Sequence, residues 1–321
     1  MRPDKIIFFL STFILFILII GGTAGVFLMI KEIRLNKFTV ADDKKFSVGE
    51  QETSSSPIST SAVFERNDRN QHHFFFDDFS KNYIVVETAH RKKSAHPDWW
   101  VSSGAYFISN GVVGHPIIGD LNVGDRWRRE YSKNNPIDTD GGFHPQNIFR
   151  LVQKDKWGDY EQSVYVKLLR YRSSDAAGRN ASNGVFLFGR YLDSDNLYYT
   201  GIRVDGLAVI KKKFDGHYHT LATAPLWPFL TPYNRVSNPN QLPMAQWFGL
   251  KSVVKNTNQG VLIEFYVDFK GSGDWRLIIS ALDAGVGGAA LADAGHVGLR
   301  TDFFDVVFDN YYVQEEFTDS D

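Results

Sequence analysis

From Phe74 onward, no apolar stripe keeps a 3.6-residue period for long enough to build a core-facing helix. The chain instead runs through short apolar or alternating segments: "EQSVYVKLLRYR", "VFLFGRY", "LYYTGIRV", "LAVIKKKF", "GVLIEFYVDF", "WRLIISALD" and "VVFDNYYVQE". Gly, Asn and Asp stand at the joints, where turns need them. In "EQSVYVKLLRYR", Val164, Val166 and Leu168 fall on one face, and Tyr165, Lys167 and Leu169 on the other. Such strands bury their apolar faces by stacking sheet on sheet. The pattern therefore predicts an all-β fold, an antiparallel β-sandwich or jelly roll. The 26 Phe and 14 Tyr suit strands, where rings pack well across a pleated surface. "GGAALADAG" offers a turn of helix at most, and no internal repeat points to a propeller or solenoid.

The first residues are of another kind. Ile6–Ile30 carries no charge and is long enough to cross a bilayer, which takes about 20 residues as a helix. The run continues past "GGTAG" into "VFLMI", longer than the apolar segment of a cleaved signal peptide. It predicts a single N-terminal transmembrane helix, with 1–37 as anchor and flanks. Arg2 and Lys5 on one side and Lys31, Arg34 and Lys37 on the other leave orientation open. Residues 38–71, rich in Ser, Thr, Glu and Asn, read as a flexible linker. The folded domain is expected over 72–321.

Composition closes several routes. A net charge of −2 argues against nucleic acid held by general electrostatics. The absence of Cys removes disulfides, thiolate metal sites and a Cys nucleophile.

The stretch "NGVFLFGRYLDSDNLYYTGIRVDG" sets charges into an apolar, aromatic background. At period 2, Tyr198, Thr200, Ile202 and Val204 share one face and read as core. Tyr199, Gly201, Arg203 and Asp205 share the other. In the preceding strand Val185, Leu187 and Gly189 alternate against Phe186, Phe188 and Arg190.

The string "NGVFLFGRYLDSDNLYYTGIRVDGLAVIKKKFDG" resembles an element of the concanavalin A-like lectin/glucanase superfamily. The opening "FFFDDFS" and the ending "GHVGLRTDFFDVVFDNYYV" resemble its first and closing strands. Within it the chain is most similar to laminin G-like and 3-keto-disaccharide hydrolase-type domains. The resemblance spans about Phe74 to Val313. It implies a jelly roll whose concave sheet holds sugar, with Arg190, Tyr199 and Arg203 on that face and Lys167 a neighbour. It also implies a calcium ion joining the first and last strands, with Asp78 and Asp309 at the acidic positions.

The chain departs from the family's enzymes. The Glu-x-Asp-x-x-Glu string of its glucanases is absent; the nearest pair, Glu264 and Asp268, lacks the middle acid. The Gln-x-His of its alginate-lyase-like members is absent too. Other candidates are Trp99 and Trp100, of which a strand would bury one and leave the other at a rim; His144 in a rim loop; and His217 with His219 as a metal pair. Three functions follow: a membrane-tethered, extracytoplasmic lectin-like module for a glycan; a glycosidase or polysaccharide lyase with a site of its own design; or a structural surface protein. Expressed whole, the protein should stay with membranes through an alkaline wash. Recovery of a mature form lacking the first thirty residues would instead identify a signal peptide.

Overall fold

The computed structural model describes residues 73–226 and 231–316. The expected anchor and linker lie outside them. Among the described residues no helix is long and apolar enough to cross a membrane. The strands are β1 (Phe74–Asp77), β2 (Asn82–Val86), β3 (Trp99–Ser103), β4 (Tyr106–Asn110), β5 (Gly114–His115), β6 (Phe149–Trp157), β7 (Tyr160–Tyr171) and β8 (Gly184–Asp193). They continue as β9 (Asn196–Arg203), β10 (Leu207–Phe214), β11 (His217–Pro225), β12 (Trp247–Thr257), β13 (Gly260–Asp268), β14 (Arg276–Asp283), β15 (Gly295–Thr301) and β16 (Phe304–Glu315).

The strands form two antiparallel sheets. One has nine strands, in the order β14-β13-β12-β7-β16-β5-β4-β2, with β1 also paired to β16. The other has seven, in the order β11-β10-β9-β8-β15-β6-β3. The first and last strands are neighbours, with Phe75 opposite Val313 and Asp77 opposite Tyr311. This is the two-layer sandwich that the sequence pattern and the resemblance both imply.

The core lies between the sheets. Val164, Val166 and Leu168 of β7 meet Val185 and Leu187 of β8, Tyr198 and Ile202 of β9, and Val297 and Leu299 of β15. Trp99 is fully buried there, and its indole N–H donates to Asp77 Oδ2 at 2.8 Å. That bond fixes β3 to the end of β1.

Among the described residues one α-helix, α1 (Arg126–Asn134), and two short 3-10 helices, Arg91–Lys93 and Pro145–Ile148, interrupt the strands. The Asp125 carboxylate caps α1, accepting from Trp127 N at 2.6 Å. Its apolar stripe is Trp127 and Tyr131 alone, too short to register as a helical period in the sequence. "GGAALADAG" forms turns and bends rather than helix.

Two charged clusters cross the sandwich. Lys212 of β10 and Asp283 of β14 are both fully buried and pair at 2.9 Å. The Tyr198 hydroxyl donates to the same carboxylate at 2.5 Å, and Lys212 Nζ also donates to the carbonyls of Val286 and Gly288. Burial alone would raise the Asp283 pKa, but the bonds from Tyr198 and Lys212 hold it below the usual range. The second cluster is centred on Arg190, also fully buried. Its guanidinium donates to Asp159 at 2.8 Å, to Asn256 Oδ1 at 3.3 Å, and to the Ala292 carbonyl. Both clusters join the seven-stranded sheet to the nine-stranded one.

Lys212→Met should leave the Asp283 carboxylate buried without its cation, at a cost of about 3–5 kcal/mol. Urea unfolding measures this. A loss below about 1 kcal/mol, the scale of an exposed pair, would show that the cluster does not brace the sheets.

Candidate functional site

Alternation on β9 sends Tyr198, Thr200 and Ile202 into the core and Tyr199 and Arg203 to the opposite face of the seven-stranded sheet. On that outer face, Phe186 and Phe188 of β8 pack with Tyr199, Val152 of β6 and Val209 of β10. Two glycines let the rings lie close to the backbone. A Cβ on Gly201 would stand 2.7 Å from the Phe186 ring, and one on Gly298 would stand 2.6 Å from the Phe188 ring. The rings thus form a floor level with the sheet.

A pocket of about 350 Å³ opens over this floor. Phe186 and Tyr199 lie at its base; Arg203, Lys211, Tyr218 and Arg300 line it. The loop carrying Asn180, Ser182 and Asn183 closes one side.

Cations dominate the lining. Arg300 of β15 pairs with Asp302 at 2.9 Å, and its Nη1 donates to the hydroxyls of Tyr199 at 3.0 Å and Tyr218 at 3.2 Å. Arg203 pairs with Asp205 at 2.5 Å. Arg150, opposite Arg300 across the β6–β15 ladder, reaches the Tyr199 hydroxyl at 3.4 Å. Its Nε is buried without a hydrogen-bond partner. Lys211 lies across from Tyr199, 5.8 Å from the centre of the Phe186 ring. Among the described residues it has no carboxylate within ion-pair reach. Burial, helped by the charges of Arg203 and Arg300, lowers the Lys211 amine to about 8. Burial would raise the Tyr199 phenol, but Arg300 and Arg150 outweigh it and hold that phenol below its ordinary value.

Of the four residues expected on a sugar-binding face, the structure brings Tyr199 and Arg203 together. Arg190 is corrected: it points into the sandwich and not into the pocket. The β8–β9 register shifts between Gly189 and Asp193, and Arg190 adopts φ +47°. That bulge turns its side chain from the face of Phe186 and Phe188 to the interior. Lys167 is also corrected. It belongs to β7 in the nine-stranded sheet, with its amine 4.7 Å from the centre of the Trp247 ring. Tyr199 itself is only 2% exposed, under Arg300, and offers no open stacking face. Tyr218, 53% exposed with the Lys213 amine 5.3 Å from its ring centre, keeps part of its ring open.

Sequence reasoning missed Arg150, Lys211, Tyr218 and Arg300. Lys211 and Arg300 stand in segments singled out for their resemblance, but their approach to Tyr199 depends on the strand order. The same period-2 alternation that groups His217 with His219 puts Tyr218 on the other face.

The remaining candidates lie elsewhere. Trp99 is core, whereas Trp100 is half-buried against the outer-face cluster. His144 bonds Asp140 at 2.7 Å and Asp120 at 3.0 Å, and Arg172 joins Asp120 to Asp305. This clasp organises loops. Glu264 accepts from Tyr266, and Asp268 accepts the backbone N–H groups of Lys270 and Gly273. His217 bonds the Asp215 carbonyl. Asp78 and Asp309 accept from the N–H groups of Ser80 and Asn310. Among the described residues no three His, Asp or Glu side chains converge as a metal site would require. Calcium takes about six to eight oxygens, of which these two carboxylates would supply only a part.

No protein-family model matches the chain, and no curated protein does. Among solved structures it is similar to the carbohydrate-binding module CBM66 from Bacillus subtilis, at 16% identity and a TM-score of 0.36, over 52% of this chain and 82% of that one. It is similar to the GH43 protein BlXynB from Bacillus licheniformis, at 15% identity and a TM-score of 0.39, over 75% of this chain and 39% of that one. It is also similar to winged bean acidic lectin complexed with methyl-α-D-galactose, at 10% identity and a TM-score of 0.44, over 76% of this chain and 98% of that one. Identities and TM-scores this low transfer no ligand and no residue role to this chain.

The lowered Lys211 amine makes a testable link to stability. An unfolded lysine titrates at about 10.4. Between about 8 and that value, the unfolded chain holds a proton that the native chain lacks, so stability rises with pH. Urea midpoints should show wild type gaining on Lys211→Met from pH 8 to 10. A constant difference would mean that Lys211 is not desolvated in the pocket.

Proposed function

We propose that the protein is a membrane-tethered, extracytoplasmic glycan-binding protein that holds sugar in the pocket on the outer face of the seven-stranded sheet. The observation that carries this reading is the pairing, in one pocket, of the partly open ring of Tyr218 with donors from Lys211, Arg203 and Arg300. An aromatic face suits the C–H patch of a pyranose, and guanidinium and amine groups donate to its hydroxyls. A volume of about 350 Å³ falls in the range of small-molecule sites. The tether rests on the uncharged run Ile6–Ile30, and the outside location on the binding role itself.

Binding is favoured over hydrolysis by the carboxylates present. Among the described lining residues the carboxylate is Asp302, clamped by Arg300 at 2.9 Å. Glycoside hydrolysis ordinarily needs two carboxylates facing the scissile bond. The calcium ion expected at Asp78 and Asp309 forms no part of this reading.

The full-length protein on a glycan array should retain a defined set of saccharides. Tyr218→Ala should weaken the best of them about tenfold, the worth of roughly 1.4 kcal/mol, with the unfolding midpoint unchanged. An array without a specific signal, or binding lost only in proportion to unfolded protein, would remove the reading.

A further inference from the structure

We infer that the pocket takes an anionic saccharide, and that Lys211, Arg300 and the Tyr218 hydroxyl seat its charged group. The inference rests on the glycan-binding reading and adds the class of glycan. Three observations carry it. First, Arg150 and Arg300 are direct cross-strand neighbours whose like charges repel, and of the two only Arg300 has a carboxylate, Asp302, within ion-pair reach among the described residues. Both guanidinium groups converge on one neutral oxygen, the Tyr199 hydroxyl, at 3.4 and 3.0 Å.

Second, the charges in the lining do not balance. Arg203, Lys211 and Arg300 face a single lining carboxylate, Asp302, already paired with Arg300. Asp205 is taken by Arg203. Lys211 has no carboxylate within ion-pair reach among the described residues, though it is half-buried over Phe186. A desolvated cation without a counter-charge costs free energy that a bound anion would return.

Third, the neighbouring groups suit the rest of a sugar. Thr220 lies across from Lys211 in the β10–β11 ladder, and Asn180 and Ser182 approach from the loop side. A carboxylate on a uronate and a sulfate ester satisfy the cations alike, since both accept several charge-assisted hydrogen bonds.

The test uses the full-length protein in detergent. It is titrated calorimetrically with an oligouronate, the carboxyl-reduced form of the same oligomer, a sulfated oligosaccharide of equal length, and polyglutamate. At pH 7 at least one anionic saccharide should bind tenfold or more tightly than the reduced form. A uronate preference assigns the charged group as carboxylate, and a sulfate preference as ester sulfate. Lys211→Met should remove most of that advantage, lowering affinity for the acidic oligomer about tenfold more than affinity for the reduced form. Lys211→Arg should keep the advantage, which guards against a folding defect. In wild type the advantage should shrink above pH 8, and in Lys211→Arg it should not. Equal affinity for acidic and reduced oligomers would overturn the anion seat while leaving glycan binding intact. Binding of polyglutamate as tight as that of the oligouronate would reduce the pocket to a general cationic surface. Failure of every saccharide to bind would overturn the glycan reading, and this inference with it.

Discussion

The buried pair of Lys212 and Asp283 holds the two sheets together at the strands that build the pocket. Its partner Tyr198 precedes Tyr199 in the chain, and Lys212 follows Lys211. Each strand therefore gives one residue inward as a strut and its neighbour outward to the pocket. A change in register on β9 or β10 would exchange the two sets and bury the pocket cations in the core. The cost of leaving Asp283 unpaired in the interior opposes that slip. Arg190 plays the same part on β8, joined to Asp159 and Asn256. A side chain that the sequence offers as a ligand donor thus serves to fix the strand that positions Phe186 and Phe188.

The pocket is a place where the fold gives up local stability. Phe186 and Phe188 lie over Gly201 and Gly298, and two guanidinium groups converge on one phenol. Like charges at this spacing repel, and Lys211 gives up hydration without gaining a carboxylate. Such arrangements cluster where a ligand supplies what the protein lacks. The outer face of the nine-stranded sheet differs. There Trp275 lies across Gly249 against Tyr165, and Lys251 rests near that ring with Glu161 as its counter-ion. The Lys251 charge is thus balanced within the protein.

Much of the fold was legible because alternation is a local signal. The segment from Tyr198 to Arg203 sorts correctly into core and outer face on period 2 alone, and the pairing of β1 with β16 follows the resemblance of its ends. Arg190 was misplaced because a single bulge, invisible to periodicity, turns its side chain through the sheet. Lys167 was misplaced because alternation assigns a face to a residue but not a sheet to a strand. Arg150 and Arg300 meet Tyr199 only through the order β8-β15-β6, which is set by long-range pairing. The site was thus half legible: the residues on one hairpin could be grouped, and those on distant strands could not.

The most direct test is the structure of the protein bound to an acidic oligosaccharide. A sugar ring should lie against Tyr218, with its charged group within about 3 Å of Lys211 Nζ and an Arg300 nitrogen. Sugar seated instead on Tyr165 and Trp275, across the opposite sheet, would contradict the account.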